Sequence, residues 1–248
     1  MVIDFHIHSK ITRLSCFDKN EFFKKLENAK NNGFTALILL EHSFVNGFSE
    51  TYNFLKENYS YYNYYYNING IKVFVGVEIT TNEGLDVVII GERNLILSLG
   101  EKIEVKKGKR WYLDIMELQE HLNCNDILVI LAHPFRQHDI FPNIDKSIFN
   151  FFDAIELNAS DIYEKGEKEC KASTYKLSET LGLPIIGGSD SHHSMQIGCI
   201  KNIFEYDCKT INKLKEQIKS GRYIIEISND LNDRIRDAIE IKKIIGTY

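Results

Sequence analysis

Histidines and acidic residues follow short apolar runs at several points in the sequence, a pattern typical of metal chemistry. His6 and His8 end the first run and, two residues apart on a strand, point to the same side, so that both can reach one ion. Later runs lead into further members of the pattern, which are Glu41-His42, Glu78, His133 and Asp190-Ser191-His192. Any one of these histidines alone is more often structural, but five of the eight at such positions predict a metal site. Imidazole and carboxylate ligands together suit zinc, iron or manganese.

The number of candidate ligands indicates more than one ion, because a single tetrahedral ion takes only four. Glu78 is the natural bridging carboxylate, since it lies between the two groups of ligands in chain order and has two oxygens to share. Two ions about 3.5–4 Å apart are the usual device for splitting a phosphoester. The ligand types therefore favour hydrolysis of a phosphate ester.

The elements that position these side chains alternate between strand-like and helix-like patterns. Strands are predicted at residues 2–5, 35–40, 72–77, 86–90, 127–131, 154–157, 184–186, 199–204 and 222–227. Between them, helices are predicted after Asp18, over residues 113–122, 168–181 and 210–220, and from Asn232 onward. This alternation favours a parallel, barrel-like or doubly wound α/β architecture. In a parallel barrel the carboxyl ends of the strands meet at one face, where such folds place their chemistry.

The first helix carries the clearest local signals. Asp18 is predicted to be its N-cap, and Glu21, three residues later, to complete a capping box. Gly33 stands where a glycine commonly ends a helix.

Length and composition restrict the class of protein. The 248 residues, 44% of them hydrophobic, suit one domain over residues 1–248, and no apolar run approaches the ~20 residues of a membrane span. No signal peptide is visible, which predicts a cytoplasmic protein. The net charge of −5 argues against a general nucleic-acid binder. Five cysteines without a CxxC pair suggest free thiols in a reducing compartment.

Two segments interrupt the alternation. Residues 59–67 (YSYYNYYYN) are rich in tyrosine, which more often indicates a packed surface or an amphipathic helix than a binding platform. Residues 106–110 (KKGKR) form a basic turn, more often a solvated hairpin than a phosphate-binding element. Both segments are candidates for a substrate lid.

Taken in order along nearly the whole chain, these motifs resemble the PHP (polymerase and histidinol phosphatase) superfamily of metal-dependent phosphoesterases. The resemblance rests on residues 4–8 (DFHIH), 132–136 (AHPFR), 182–184 (GLP) and 187–192 (GGSDSH), with Gly198 shortly afterwards. It implies an α/β fold, a distorted (βα)7 TIM-like barrel with the metal site at the C-terminal ends of the strands. It also implies two or three divalent metal ions (Zn, Mn or Fe).

Carried over by position, the resemblance assigns the ligands to three ions. The first would be held by His6, His8, Glu78 and Asp190; the second would share Glu78 and take His133; the third would draw on His42 and His192. Glu41 stands where related proteins usually have aspartate. Leu14 replaces an expected ligand, and Asp86 is the only candidate where many relatives have a histidine after the bridging glutamate. Loss of the third ion would leave a two-metal enzyme.

The resulting hypothesis is a phosphoesterase in which a metal-bound hydroxide attacks phosphorus in a small phosphorylated substrate, a phosphomonoester or a short nucleotide phosphodiester. Glu78 and Asp190 would hold the ions. Arg136 would clamp the phosphate or form a surface ion pair, and His193 would protonate the leaving alcohol or be an exposed neighbour. Asn158 would orient a ligand or cap a helix. Neither long nucleic acid nor a membrane is expected as a partner, and the oligomeric state leaves no trace.

Two alternatives remain at this stage. The same type of barrel site supports amide hydrolysis, as in amidohydrolases. The departures at Leu14 and at Val88, which stands near the place of the histidine expected after Glu78, are also compatible with a degraded site retained as a binding module. His121 and His138 receive no role.

Overall fold

The computed structural model describes residues 1–43, 45, 47–105, 113–122, 126–136 and 145–245, without the side chains of residues 101–105, 146 and 245. The strands are β1 (Val2–His8), β2 (Ala36–Leu40), β3 (Tyr61–Tyr62), β4 (Tyr65–Ile68), β5 (Ile71–Thr80), β6 (Asp86–Gly91), β7 (Leu128–Ala132), β8 (Ala154–Asn158), β9 (Ile185–Gly188), β10 (Ile200–Phe204) and β11 (Tyr223–Ile227). The helices are α1 (Lys19–Asn31), α2 (Phe48–Asn58), α3 (Arg93–Val105), α4 (Ile115–Leu122), α5 (Ala159–Lys165), α6 (Glu167–Leu181), α7 (Ile211–Ser220) and α8 (Leu231–Ile245).

The sheet has the order β11-β10-β1-β2-β5-β6-β7-β8-β9, with the β3–β4 hairpin attached to β5. Four of the eight strand pairs in this order are parallel. β6 runs antiparallel to both β5 and β7, and β10 runs antiparallel to both β1 and β11. The expectation of an all-parallel barrel is therefore wrong at β6 and at β10. Because β6 is reversed, its first residue, Asp86, lies at the same face as the carboxyl ends of the other strands, opposite Thr80 and Ala132.

The sheet curves into a nearly closed barrel, which confirms the predicted fold class. A backbone bridge between Ile7 and Ser191 joins the ends of β1 and the segment after β9. Below it, the buried side chain of Asn202 receives a hydrogen bond from the N–H of Gly187 (2.7 Å) and donates to the carbonyls of Ile3 (3.1 Å) and Gly187 (2.8 Å). The side chain of Asn202 therefore satisfies backbone groups between β1 and β9, where the barrel closes without a continuous series of backbone hydrogen bonds.

An irregularity in β1 turns its histidines toward the barrel interior. The pairing of β1 with β2 shifts register between Asp4 and Ile7. Phe5 belongs to the apolar cluster enclosed by the barrel, whereas Ile7 packs in the outer cluster beneath the helices. A bulge of this kind places two consecutive residues on one side, so that His6 and His8 both enter the interior above Phe5.

The opposite end of the barrel is closed by α7. Its apolar residues Ile211, Leu214 and Ile218 join the interior cluster. At its edge, Lys215 donates to the carbonyl of Ile127, directly before β7 (3.0 Å). The barrel therefore has an apolar end and a polar end, and the polar end holds the histidines.

Three local expectations are corrected by the structure. Asp18 caps α1 as predicted, but Glu21 does not complete a capping box; its carboxylate instead accepts the N–H of Ser194 (2.5 Å). The tyrosine-rich segment forms the β3–β4 hairpin, because cross-strand tyrosine pairs fit a pleated surface. The helices α2, α3 and α5 were not predicted. Residues 106–110 lie outside the described part of the chain. Within the described part, no helix is long and apolar enough to span a membrane.

Candidate metal centre

Four donor atoms converge at the polar end of the barrel. Nε2 of His8 lies 3.0 Å from Nε2 of His6, 3.2 Å from Oε2 of Glu78 and 3.3 Å from Oδ1 of Asp190. Nε2 of His6 is 3.5 Å from each of the same two carboxylate oxygens. Donors bound about 2.0–2.1 Å from one tetrahedral ion are roughly 3.3–3.4 Å apart. The spacing of these four buried groups therefore fits one ion between them.

A second group of donors adjoins the first through Glu78. Its other oxygen, Oε1, lies 2.9 Å from Nε2 of His133, while Nδ1 of His133 is 3.5 Å from Oδ2 of Asp86. Glu78, Asp86 and His133 offer three ligand atoms within 4.8 Å of one another. The two oxygens of Glu78 thus point to different histidines, the arrangement expected of a bridging carboxylate.

A third group contains His8, His42 and His192, whose ligand nitrogens also lie within 4.8 Å of one another. A cationic side chain of the protein also contacts this group, since Nε of Arg13 donates a hydrogen bond to Nε2 of His42 (3.2 Å). The other nitrogen of His42 lies 2.9 Å from Oε2 of Glu78. Leu14, which stands where a ligand is expected, is 75% exposed. The neighbouring residue, Arg13, is the one that contacts the third group, through His42.

Electrostatics at Glu78 support a cation at this place. Burial raises the pKa of the carboxyl, but His42 and His133 hold it well below its usual range, so the group is ionised. Within the described residues, Oε2 of Glu78 accepts no hydrogen bond of acceptable geometry although several histidine nitrogens surround it. A buried, ionised oxygen without a hydrogen bond is costly unless a cation binds it. The residues therefore fit a divalent ion.

Glu156 orients two of the histidines and was not predicted to do so. Its Oε1 accepts a hydrogen bond from Nδ1 of His6 (2.9 Å), and its Oε2 accepts the backbone N–H of His133 (2.8 Å). Carboxylates of this kind fix the tautomer and orientation of a metal-ligating histidine. The available signal was an acidic residue at the end of an otherwise apolar, fully buried strand.

Arg136 holds Asp190 in its ligand orientation. Nη2 of Arg136 lies 2.6 Å from Oδ2 of Asp190, which leaves Oδ1 directed toward the two histidines of β1. The guanidinium also bonds to Asp161 (3.1 Å) and to Oδ1 of Asn158 (3.0 Å). Burial raises the pKa of Asp190, but Arg136 and His6 lower it well below its usual range. Asn158 is also the N-cap of α5, as one interpretation of the sequence held.

Two of the candidate ligands adopt left-handed backbone conformations. His133 has φ = 27° and Asp190 has φ = 52°, values that non-glycine residues rarely adopt. Such conformations cost about 1–3 kcal/mol each and persist where the surrounding structure enforces them, commonly at functional sites. His133 directly follows β7 and Asp190 lies two residues beyond β9, so both left-handed residues lie at the polar end of the barrel.

Two predicted site residues, Glu41 and His193, lie apart from the donor groups. Glu41 accepts the backbone N–H groups of Ser9 (2.8 Å) and Lys10 (3.0 Å), and belongs to none of the ligand groups found among the described residues. His193 caps the short 3-10 helix Ser194–Gln196 and lies 3.8 Å from Glu21. His121 is exposed on α4, and His138 lies outside the described residues.

Comparison with known proteins bears out the sequence resemblance. The model of the PHP-associated C-terminal family matches residues 173–223. Over 98% of both chains, the structure is similar to PsfC from Pseudomonas syringae PB-5123 (TM-score 0.76, 17% identity). The family match supports a relationship to the PHP superfamily, and the structural similarity shows a shared fold. No curated protein matches the sequence.

Two further similar structures are those of Endonuclease Q. The lesion-specific enzyme from Pyrococcus furiosus aligns with a TM-score of 0.61 and 20% identity, over 91% of this chain and 58% of that one. A complex of Endonuclease Q with a 27-mer duplex aligns with a TM-score of 0.58 and 20% identity, over 88% of this chain and 56% of that one. This chain thus spans somewhat more than half of the endonuclease. Since that complex holds duplex DNA, it is at odds with the expectation that long nucleic acid is not a partner.

Proposed function

We propose that this PHP protein is a metal-dependent phosphoesterase that hydrolyses a small phosphorylated substrate, a phosphomonoester or a short nucleotide phosphodiester. The observation that carries the proposal is the position of Glu78, whose two oxygens lie against two separate sets of histidine ligands. A carboxylate in this position supports a centre of at least two ions. The metal is zinc, manganese or iron, according to the mixed imidazole and carboxylate ligands.

The first ion would be held by His6, His8, Glu78 and Asp190, and the second by Glu78, His133 and Asp86. Asp86 enters this set because the reversed strand β6 brings one of its oxygens within 4.8 Å of a ligand atom of Glu78 and of His133. The group around His42 would form a third site only if an ion displaced the guanidinium of Arg13 from His42. Two ions are therefore the state that the contacts favour.

Bound ions would supply Lewis acidity toward the phosphoryl oxygens and lower the pKa of a water molecule. The protein contributes the positions of the ligands: Glu156 orients His6, and Arg136 orients Asp190. Arg136 acts in this proposal as a positioning residue rather than as a phosphate clamp, because Asp190, Asp161 and Asn158 already engage its guanidinium. Proton donation to the leaving alcohol by His193 stays a prediction.

Release of phosphate by the metal-loaded protein tests the proposal. We expect turnover on at least some members of a panel of sugar phosphates, nucleotides and short oligonucleotides, and a loss of 100-fold or more in Asp190→Asn. Lys219→Gln, on the exposed surface of α7, is the matched control and is expected to retain full activity.

Other outcomes would replace the proposal. Amine release from amides or cyclic amides without phosphate release would favour the amidohydrolase alternative. Tight metal binding without turnover on either panel would favour the binding-module alternative. Unchanged phosphate release by Asp190→Asn would remove the assigned centre from the reaction.

A further inference from the structure

The last helix directs a lysine toward the metal centre. The buried face of α8 is formed by Leu231, Ile235 and Ala238, at the spacing of three and four residues that makes one side of a helix. Lys242 is the next residue in this series, four residues beyond Ala238, and it is half-buried. A charged residue therefore occupies the position at which the apolar stripe would continue.

The surroundings of Lys242 belong to the metal centre. α8 packs against the Ser194–Gln196 turn, which directly follows His192 and His193, and against α5, which carries the Arg136 partner Asp161. Burial lowers the pKa of Lys242, and the charge of Asp190 partly restores it. Burial lowers the pKa of His192, and the charges of His8 and Lys242 lower it further. The packing of α8 and these mutual electrostatic effects together place Lys242 on the Asp190 side of the centre.

Lys242 differs from the other cations near the site in its counter-charges. The guanidinium of Arg136 is paired with Asp190 and Asp161. No ion pair or hydrogen bond of the Lys242 ammonium is found within the described residues. Next to it, the exposed Lys243 pairs with Glu240 (2.7 Å). A half-buried cation without a counter-ion is unfavourable in the free protein, and an anionic ligand would remove that cost.

We propose that Lys242 is a specificity-determining residue that binds a second anionic group of the substrate, a carboxylate or a further phosphate, on the Asp190 side of the metal centre. The inference rests on the proposed function, because it assumes that the scissile phosphate lies on the metal ligands. Lysine suits this role, since its ammonium is a compact point charge on a flexible stem. The substrate class is then a phosphate ester that carries an additional negative group.

Matched pairs of ligands test this proposal in the metal-loaded protein. Glycerol 3-phosphate differs from 3-phosphoglycerate in the absence of the carboxylate, and fructose 6-phosphate differs from fructose 1,6-bisphosphate in the absence of the second phosphate. Dissociation constants are measured by titration calorimetry for wild type, Lys242→Gln and the control Lys243→Gln, with metal content and thermal stability measured alongside.

In wild type, we expect the second anion to tighten binding about tenfold or more in at least one pair. Lys242→Gln should remove that increment and leave the affinity for the single-anion member within twofold, whereas Lys243→Gln should change neither. An equal loss for both members of each pair would place Lys242 on the scissile phosphate and overturn the proposal. Unchanged affinities in Lys242→Gln, or no increment in wild type, would overturn it as well.

Failure of the proposed function has a different signature. In that case the wild-type protein would bind neither member of either pair and hydrolyse no phosphate ester. Binding of the single-anion members without an increment contradicts only the role of Lys242.

Discussion

Glu156 lies 2.9 Å from Nδ1 of His6 and so directs the opposite nitrogen of that ring, Nε2, toward the ligand cluster. The carboxyl pKa of Glu156 is raised by burial but lowered more by His6, so the group is charged in the folded protein. The hydrogen bond connects β8 to the first ligand of β1. The position of the metal centre therefore depends on a residue that is not among the predicted ligands.

Glu156→Gln is expected to weaken metal binding 10–100-fold, the usual effect of removing such a hydrogen-bonded carboxylate. The two N–H groups, Nδ1–H of His6 and the backbone N–H of His133, face different oxygens of Glu156, and in glutamine one of these positions becomes an NH2 donor that cannot accept. Competition with a fluorescent chelator measures the affinity. Glu179→Gln, on the exposed face of α6, is the control; equal affinities in the two variants would exclude an orienting role for Glu156.

Arg136→Gln is expected to lower metal affinity about tenfold, because Asp190 would lose the partner that fixes Oδ2 and lowers its pKa. The same competition titration, repeated between pH 5 and 8, should show a larger loss at the acid end, where Asp190 becomes protonated more easily. If Arg136 instead clamps the phosphate, metal affinity will be normal and the KM for substrate will rise.

Gly188→Ala is expected to displace Glu156. A Cβ on Gly188 would overlap Oε1 of Glu156 and lie 2.8 Å from Cβ of His6. We expect a loss of about 1–3 kcal/mol in the free energy of unfolding, as for an overpacked core, together with weaker metal binding. In the control Gly91→Ala, the nearest contact is the Ile127 side chain at 3.3 Å, and metal binding should not change. Normal metal affinity in Gly188→Ala would show that Glu156 has room to move.

Asp4 should make the metal-free protein less stable as pH rises from about 4 to 7. Burial raises the pKa of this carboxyl from 3.8 to about 7, so over this range the unfolded chain releases a proton that the folded chain keeps. At 1.36 kcal/mol per unit, the loss is at most roughly 4 kcal/mol and is complete above pH 7.

The variant Asp4→Asn isolates this effect. Its amide oxygen can still accept the N–H groups of His6 and Ser189. Urea unfolding with a chelator present should give a stability difference from wild type that moves in favour of the variant between pH 4 and 7. A difference that is constant over this range would mean that Asp4 does not titrate there.

Much of the fold could be predicted from the sequence because local signals agreed with the tertiary structure. The apolar runs of β2, β7 and β8 are fully buried, as continuous apolar strands should be. The helix stops at Gly182 and Gly221 have the expected left-handed conformation. Reversal of β6 was not readable, because an apolar strand carries no mark of its direction.

The site was predicted in part. The histidines and acids at the strand ends do converge, since chain order and strand direction place them at one end of the barrel. Three features of the site could not be predicted from the sequence. They are the bulge that turns His6 inward, the hydrogen bonds of Glu41 to Ser9 and Lys10, and the contact of Arg13 with His42. Each depends on side-chain directions between segments far apart in sequence, which spacing along one segment does not specify.

Metal content per chain tests the bridging role of Glu78 most directly. Protein is prepared with zinc, manganese and iron available, desalted, and measured by elemental mass spectrometry for wild type and Glu78→Gln, with circular dichroism to verify folding. We expect about two equivalents in wild type and a sharp fall in the variant, because both ions lose a shared ligand. One equivalent or less in wild type, unchanged by the substitution, would contradict a multinuclear centre bridged by Glu78.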